Sequence, residues 1–285
     1  MPGPPPQPPT VTPDGCIFCS ASVAMTKEHL WPVWLGTMAR SRPGGPFRIY
    51  RFRGHRELQP FRTARLDLKV GPVCRPCNNE ILSPLENEVK PLLTRMLAGT
   101  PTQLDDVGAL AIAAWIVRMS MLREFLGPQQ EERSFFFSSE ERRLFITTLD
   151  PPVGTWIWLF KYSNPNRGIS GGSCPIDLTG LGSPDGQSDV CRVETGYLGQ
   201  LGFQFLRRRR VDGKPRVLAS ETRMDAIMSR WAPATRQLLP LTNDAVEWPP
   251  EKVITDSVLR MFSERWGGDA STPDDARRSW AENPR

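Results

Sequence analysis

Two Cys-x-x-Cys pairs constrain this 285-residue chain more than any other feature of its sequence. Each short turn can present two sulfurs to one ion, and four thiolates suit a tetrahedral Zn²⁺. A zinc ion bound by four sulfurs has no open coordination position. We therefore expect a structural zinc that stabilises the N-terminal region and takes no part in chemistry. Its predicted ligands are Cys16, Cys19, Cys74 and Cys77.

Four polar residues accompany these cysteines. Glu28 and His29 lie between the two pairs, and Asn78 and Asn79 follow the second pair directly. A carboxylate and an amide oxygen suit Mg²⁺ or Mn²⁺, and a cation with two protein ligands keeps positions open for water and phosphate. Histidine titrates near neutral pH and is the commonest general base. This set of groups favours hydrolysis of a phosphodiester, which needs a base near the water and a cation near the phosphoryl oxygens.

The arrangement resembles the HNH, or ββα-metal, endonucleases, and above all the subgroup in which four cysteines bind a structural zinc. The resemblance covers roughly residues 14–90 and rests on the Glu-His dipeptide between the pairs and the asparagines after the second pair. It implies that Glu28 and Asn78 bind a catalytic Mg²⁺ or Mn²⁺. It also implies that His29 deprotonates the attacking water, and that Asn79 caps the next helix or orients the scissile phosphate.

The stretch between His29 and Cys74 is longer than the hairpin usual in that family, so we expect an inserted element there. Phe47–Arg53 alternates apolar and basic residues, as a half-buried strand does, and residues 61–70 are predicted to be its partner strand. The solvent face of this hairpin would be basic. The residues that we expect to contact nucleic acid are Arg48, Arg51, Arg53 and Lys69.

Positive charge is concentrated around the motif. Residues 1–77 contain eleven Lys and Arg against four Asp and Glu, a net charge of +7, whereas the whole chain has +5. A phosphate backbone would dock on such a surface, although a solvated basic face is the alternative. We interpret His55, one of only two histidines, as a loop residue, with a phosphate contact as the alternative. The four arginines at 207–210 are interpreted as an exposed strand end, with a second nucleic-acid contact as the alternative.

We expect an α+β protein with two parts. A zinc-stabilised ββα-metal module would occupy residues 13–99, and an α+β region of unknown role would occupy residues 100–266. A long buried helix is predicted over residues 102–126. Disordered tails are expected at both ends, over residues 1–12 and 267–285.

The remaining cysteines and the N-terminus indicate the compartment. Cys174 and Cys191 are expected to be reduced core thiols, and a disulfide between them is the alternative. The proline-rich N-terminus has neither the basic nor the apolar region of a signal peptide. No apolar stretch reaches the ~18 residues of a membrane-spanning helix. These features predict a cytoplasmic protein.

The sequence therefore predicts a divalent-metal-dependent endonuclease, with DNA as the favoured nucleic acid. The first alternative is a non-catalytic zinc ribbon that binds nucleic acid through the basic hairpin. A zinc ribbon that binds a protein partner is the second alternative.

Overall fold

The computed structural model describes residues 15–40, 47–53, 56–63, 68–125, 136–163, 169–177, 189–210, 234–242 and 244–255. The tails predicted at 1–12 and 267–285 lie outside these ranges. The described chain is a mixture of helices and antiparallel sheets, so the predicted α+β class is confirmed.

Two short strands support the cysteine-containing region. Strand β1 (Met25–His29) pairs antiparallel with β4 (Lys69–Cys74), so that Met25 lies opposite Cys74 and His29 lies opposite Lys69. The register shifts between Thr26 and Glu28, which leaves an irregularity at the intervening residue. Such irregularities reorient the side chains that follow them.

An insertion separates β1 from β4 along the chain, as predicted. It contains helix α1 (Val33–Arg40) and a hairpin of β2 (Phe47–Arg53) and β3 (Arg56–Thr63). The predicted partner strand at 61–70 is wrong in its position. Arg53 pairs directly with Arg56, so the partner strand begins at Arg56 and not at residue 61. In a hairpin the residues next to the connection pair first. Lys69, which the sequence predicts in the hairpin, belongs to β4 instead.

Helical structure follows the second cysteine pair. A π-helical turn (Pro76–Leu82) leads into α2 (Ser83–Leu97). Gly99, just after the end of α2, has a left-handed backbone conformation with φ 74°. The helix predicted from residue 102 begins later, as α3 (Asp106–Arg123). The residues before it form β5 (Thr102–Leu104), which pairs with β11 (Val246–Trp248). The Asp105 carboxylate accepts from Gly108 N at 2.8 Å and so fixes the start of the helix.

The second half of the chain forms a six-stranded sheet covered by helices. The strand order is β10-β6-β9-β8-β7, and β12 pairs parallel with β6. Helix α4 (Ser139–Thr148) precedes the sheet and begins with a capping box between Ser138 and Glu141. The strands are β6 (Thr155–Tyr162), β7 (Ile169–Asp177), β8 (Asp189–Leu198), β9 (Leu201–Arg210), β10 (Thr235–Leu239) and β12 (Val253–Ile254).

Helix α3 lies in the centre of one continuous hydrophobic core. The core includes residues from the first cysteine pair to β11, and contacts cross between the two predicted parts of the chain. The ring of Phe18 lies 6.4 Å from that of Phe145, and Trp248 Nε1 donates to Met96 O at 3.2 Å. The boundary at residue 99 stays a prediction. None of the helices in the described ranges has the combination of length and apolarity needed to cross a bilayer.

Candidate metal centre

The four predicted zinc ligands lie together. Their sulfur atoms are all within 4.8 Å of one another, and the Sγ atoms of Cys19 and Cys74 are 3.5 Å apart. Four sulfurs at about 2.3 Å from one zinc form a tetrahedron with edges of about 3.8 Å. The cluster is therefore close to the size that a metal ion such as zinc requires. Among the described residues, no other group of three or more His, Cys, Asp and Glu side chains could hold a metal.

Backbone hydrogen bonds bring the two cysteine turns together. The first turn closes through Cys16 N to Ala21 O at 3.0 Å, and Ile17 N donates to Pro72 O of β4 at 3.0 Å. The second turn begins where β4 ends, and Arg75 N donates to Ala24 O at 2.8 Å. The pairing of β1 with β4 thus determines the separation of the sulfurs.

The protein environment alone favours the protonated form of two of these thiols. Burial raises the pKa of Cys74 and, with help from the neighbouring sulfurs, that of Cys77. Burial also opposes ionisation of Cys16, but backbone hydrogen bonds from Cys19, Cys74 and Phe18 outweigh it and lower the Cys16 pKa. A divalent cation stabilises thiolates, so metal binding at this cluster releases protons.

Glu28 is buried, with 6 % of its surface exposed, and it forms an ion pair with Arg118 of α3. Arg118 Nη2 donates both to Glu28 Oε1 and to His29 O, the latter at 2.8 Å. Burial lowers the pKa of the fully buried Arg118 to about 9, which leaves it charged at neutral pH. Sequence reasoning missed this partner. The sequence does contain one indication of a buried ion pair, because Arg118 is the single charged residue in the apolar stretch 109–122.

Asn78 is held by a short chain of hydrogen bonds. Thr26 Oγ1 donates to Val73 O at 2.8 Å, and Asn78 Nδ2 donates to Thr26 Oγ1 at 2.9 Å. A threonine hydroxyl has a single proton, and that proton is already given to Val73 O. Asn78 must therefore present its amino group to Thr26, which turns its Oδ1 atom away. This oxygen accepts no hydrogen bond from the described residues.

The other predicted site residues are distributed around this centre. His29 is half-buried at the end of β1, and Lys69 opposite it in the ladder is exposed. Asn79 is exposed, but the predicted capping role is wrong because helical structure already begins at Pro76, after Arg75 in the cap position. The structure gives only the backbone of β2, which carries Arg48, Arg51 and Arg53, and His55 lies outside the described residues.

A buried ionic network in the second half of the chain was not predicted. Glu194 of β8 accepts from Ser120 Oγ at 2.7 Å, Arg123 Nη1 at 3.1 Å and Arg192 Nε at 2.5 Å. Burial opposes ionisation of Glu194, but the attraction of Arg192 and Arg123 is stronger and lowers its pKa. Arg192 Nη1 also donates to Glu124 Oε1 at 2.7 Å, and burial raises the pKa of Glu124 despite that contact.

Arg142 connects this network to the first cysteine turn. Its Nε donates to Ile17 O at 2.8 Å, its Nη1 donates to Phe137 O at 2.5 Å, and its Nη1 lies 3.9 Å from Glu124 Oε2. Ile17 lies between Cys16 and Cys19. One buried guanidinium thus holds the N-terminal turn against α4.

Comparison with protein-family models, with curated proteins and with solved structures finds no match for this chain.

Proposed function

We propose that the chain is a divalent-metal-dependent endonuclease of the HNH type, with a structural zinc at the four cysteines. The sequence resemblance is one support for this. The second is topological: β1 pairs with β4, and a helical segment follows directly, with one cysteine turn before β1 and the other between β4 and the helix.

The observation that carries the proposal is that Glu28 and Asn78 each keep one side-chain oxygen that accepts no hydrogen bond from the described residues. Glu28 Oε2 accepts no hydrogen bond from the described residues, and the side chain keeps 8 % of its surface exposed. Asn78 Oδ1 is likewise turned away from its Thr26 partner. A carboxylate oxygen and an amide oxygen are hard donors that fit Mg²⁺ or Mn²⁺. These two side chains would hold the cation.

The residues around these oxygens have separate roles in hydrolysis. A bound divalent cation would neutralise charge that develops on the phosphoryl and leaving oxygens. His29, next to Glu28 in the chain, would accept the proton of the attacking water. The hydrogen bond from Arg118 to His29 O fixes the end of β1 and so limits how far the histidine can move.

Nucleic acid would bind on the side that carries the positive charge. Lys69 is exposed directly opposite His29, where a phosphate near the general base would lie. Arg48, Arg51 and Arg53 of β2 extend the basic residues along the inserted hairpin. Contacts of this kind position the phosphate backbone without reading the base sequence. We favour DNA as the substrate.

Nicking of a supercoiled plasmid at increasing Mg²⁺ or Mn²⁺ concentrations tests this proposal. Glu28→Gln and Asn78→Ala should each raise the cation concentration that half-maximal cleavage needs, because each removes one of few oxygen ligands. Neither variant should lose zinc, whose ligands are all sulfur. Unchanged cation dependence in both variants would place the cation elsewhere. DNA binding by the wild type without any cleavage would favour the non-catalytic zinc ribbon.

A further inference from the structure

We propose that Arg118 determines which divalent cation the Glu28 site accepts. By holding Glu28 Oε1, the guanidinium leaves one carboxylate oxygen for a metal, and this disfavours Ca²⁺ relative to Mg²⁺. The inference rests on the proposed function in one respect, namely that Glu28 binds a cation. Arg118 lies 90 residues from Glu28 in the sequence and belongs to neither cysteine turn.

The restraint on Glu28 is built into the core. Arg118 has no exposed surface, and the same nitrogen that reaches Glu28 Oε1 also donates to His29 O. Its Nε and Nη1 atoms have no hydrogen-bond partner among the described residues. Its hydrogen bonds with the described residues therefore all go to the end of β1, so a movement away from this strand end would leave the buried guanidinium without any partner. Such a movement is strongly unfavourable.

Coordination chemistry connects this restraint to selectivity. Ca²⁺ takes six to eight oxygens and often uses both oxygens of one carboxylate, whereas Mg²⁺ prefers an octahedron with single oxygens and several waters. A carboxylate with one oxygen already occupied can satisfy Mg²⁺. It cannot give Ca²⁺ the two-oxygen contact.

The test is a competition measurement on the zinc-loaded full chain. Mn²⁺ binding is followed by electron paramagnetic resonance, and Mg²⁺ and Ca²⁺ are compared as competitors. We expect the wild type to bind Mg²⁺ at least as tightly as Ca²⁺. Arg118→Met should raise the ratio of Ca²⁺ affinity to Mg²⁺ affinity by at least about fivefold, because both carboxylate oxygens become available. Both competitors are divalent, so the loss of the arginine's charge affects them equally and cancels in the ratio.

Two further variants separate the possible outcomes. Arg123→Met removes a half-buried arginine that contacts Glu194, and it should leave the ratio unchanged. Glu28→Gln should weaken the competed Mn²⁺ binding, because it replaces a carboxylate ligand by an amide. Mn²⁺ binding that Glu28→Gln leaves unchanged would contradict the proposed cation site itself. A signal that depends on Glu28 but shows the same ratio in Arg118→Met would overturn only the role of Arg118. If Arg118→Met does not fold, the wild type alone provides the test. Tighter binding of Ca²⁺ than of Mg²⁺ by the wild type would overturn the role of Arg118.

Discussion

Replacement of Arg142 by methionine tests whether the cysteine region and the rest of the chain fold as one unit. The methionine keeps part of the aliphatic side chain and removes the hydrogen bonds to Ile17 O and Phe137 O. Hydrogen bonds from a charged donor contribute about 1.5–3 kcal/mol each, so the expected loss of unfolding free energy is about 3–6 kcal/mol. That is a large part of the total stability of about 5–15 kcal/mol typical of a folded domain.

The assay is urea unfolding of the full chain at a fixed zinc concentration, with Arg143→Met as the control. Arg143 is the exposed neighbour of Arg142 in the same helix, so its replacement should change the unfolding free energy by less than about 0.5 kcal/mol. Arg142→Met should also release zinc to a chelator faster, because the turn that contains Ile17 loses its contact with α4. Equal stabilities of the two variants, or unchanged zinc release, would refute this reasoning.

Three further predictions concern the zinc, the buried network and the basic hairpin. Cys16→Ser or Cys77→Ser should remove the single tightly bound zinc and unfold the N-terminal region, as metal analysis and circular dichroism would detect. Glu194 has a lowered pKa, so its stabilising contribution is present above the unfolded value of about 4.3 and is lost as pH falls through the folded pKa. The free-energy difference between wild type and Glu194→Gln should therefore be large at pH 7 and shrink below about pH 4.3; a constant difference would contradict this. Arg51→Glu with Arg53→Glu should weaken DNA binding regardless of sequence and make the salt dependence shallower by about 0.9 per lost phosphate contact, whereas an unchanged slope and affinity would indicate that these arginines only solvate the hairpin.

Local patterns in the sequence predicted the parts of the site that depend on local chemistry. The four cysteines could be recognised because a Cys-x-x-Cys turn presents two sulfurs whatever surrounds it. The α+β class also followed from local periodicity. The polar residues Glu28, His29 and Asn78 could be selected as site candidates for the same reason, since their chemistry and their spacing from the cysteines are visible in the sequence.

Pairings between distant segments could not be predicted in this way. β5 pairs with β11 more than a hundred residues away, and this pairing delays the start of α3. The contact of Arg118 with Glu28 and that of Arg142 with Ile17 also join distant segments. No local pattern encodes the partner in such contacts, because it is determined by how the elements pack. The position of β3 depends on the short connection between Arg53 and Arg56, which the alternating pattern at residues 61–70 does not reveal.

We propose that His29 acts as the general base of a nuclease. Its most direct test compares wild type and His29→Ala in nicking a supercoiled plasmid with Mg²⁺ or Mn²⁺, with zinc content and DNA affinity measured on the same preparations. We predict that cleavage falls by about 10²–10⁴-fold while zinc content and affinity stay the same. His55→Ala should have little effect. Equal cleavage by wild type and His29→Ala would contradict the account.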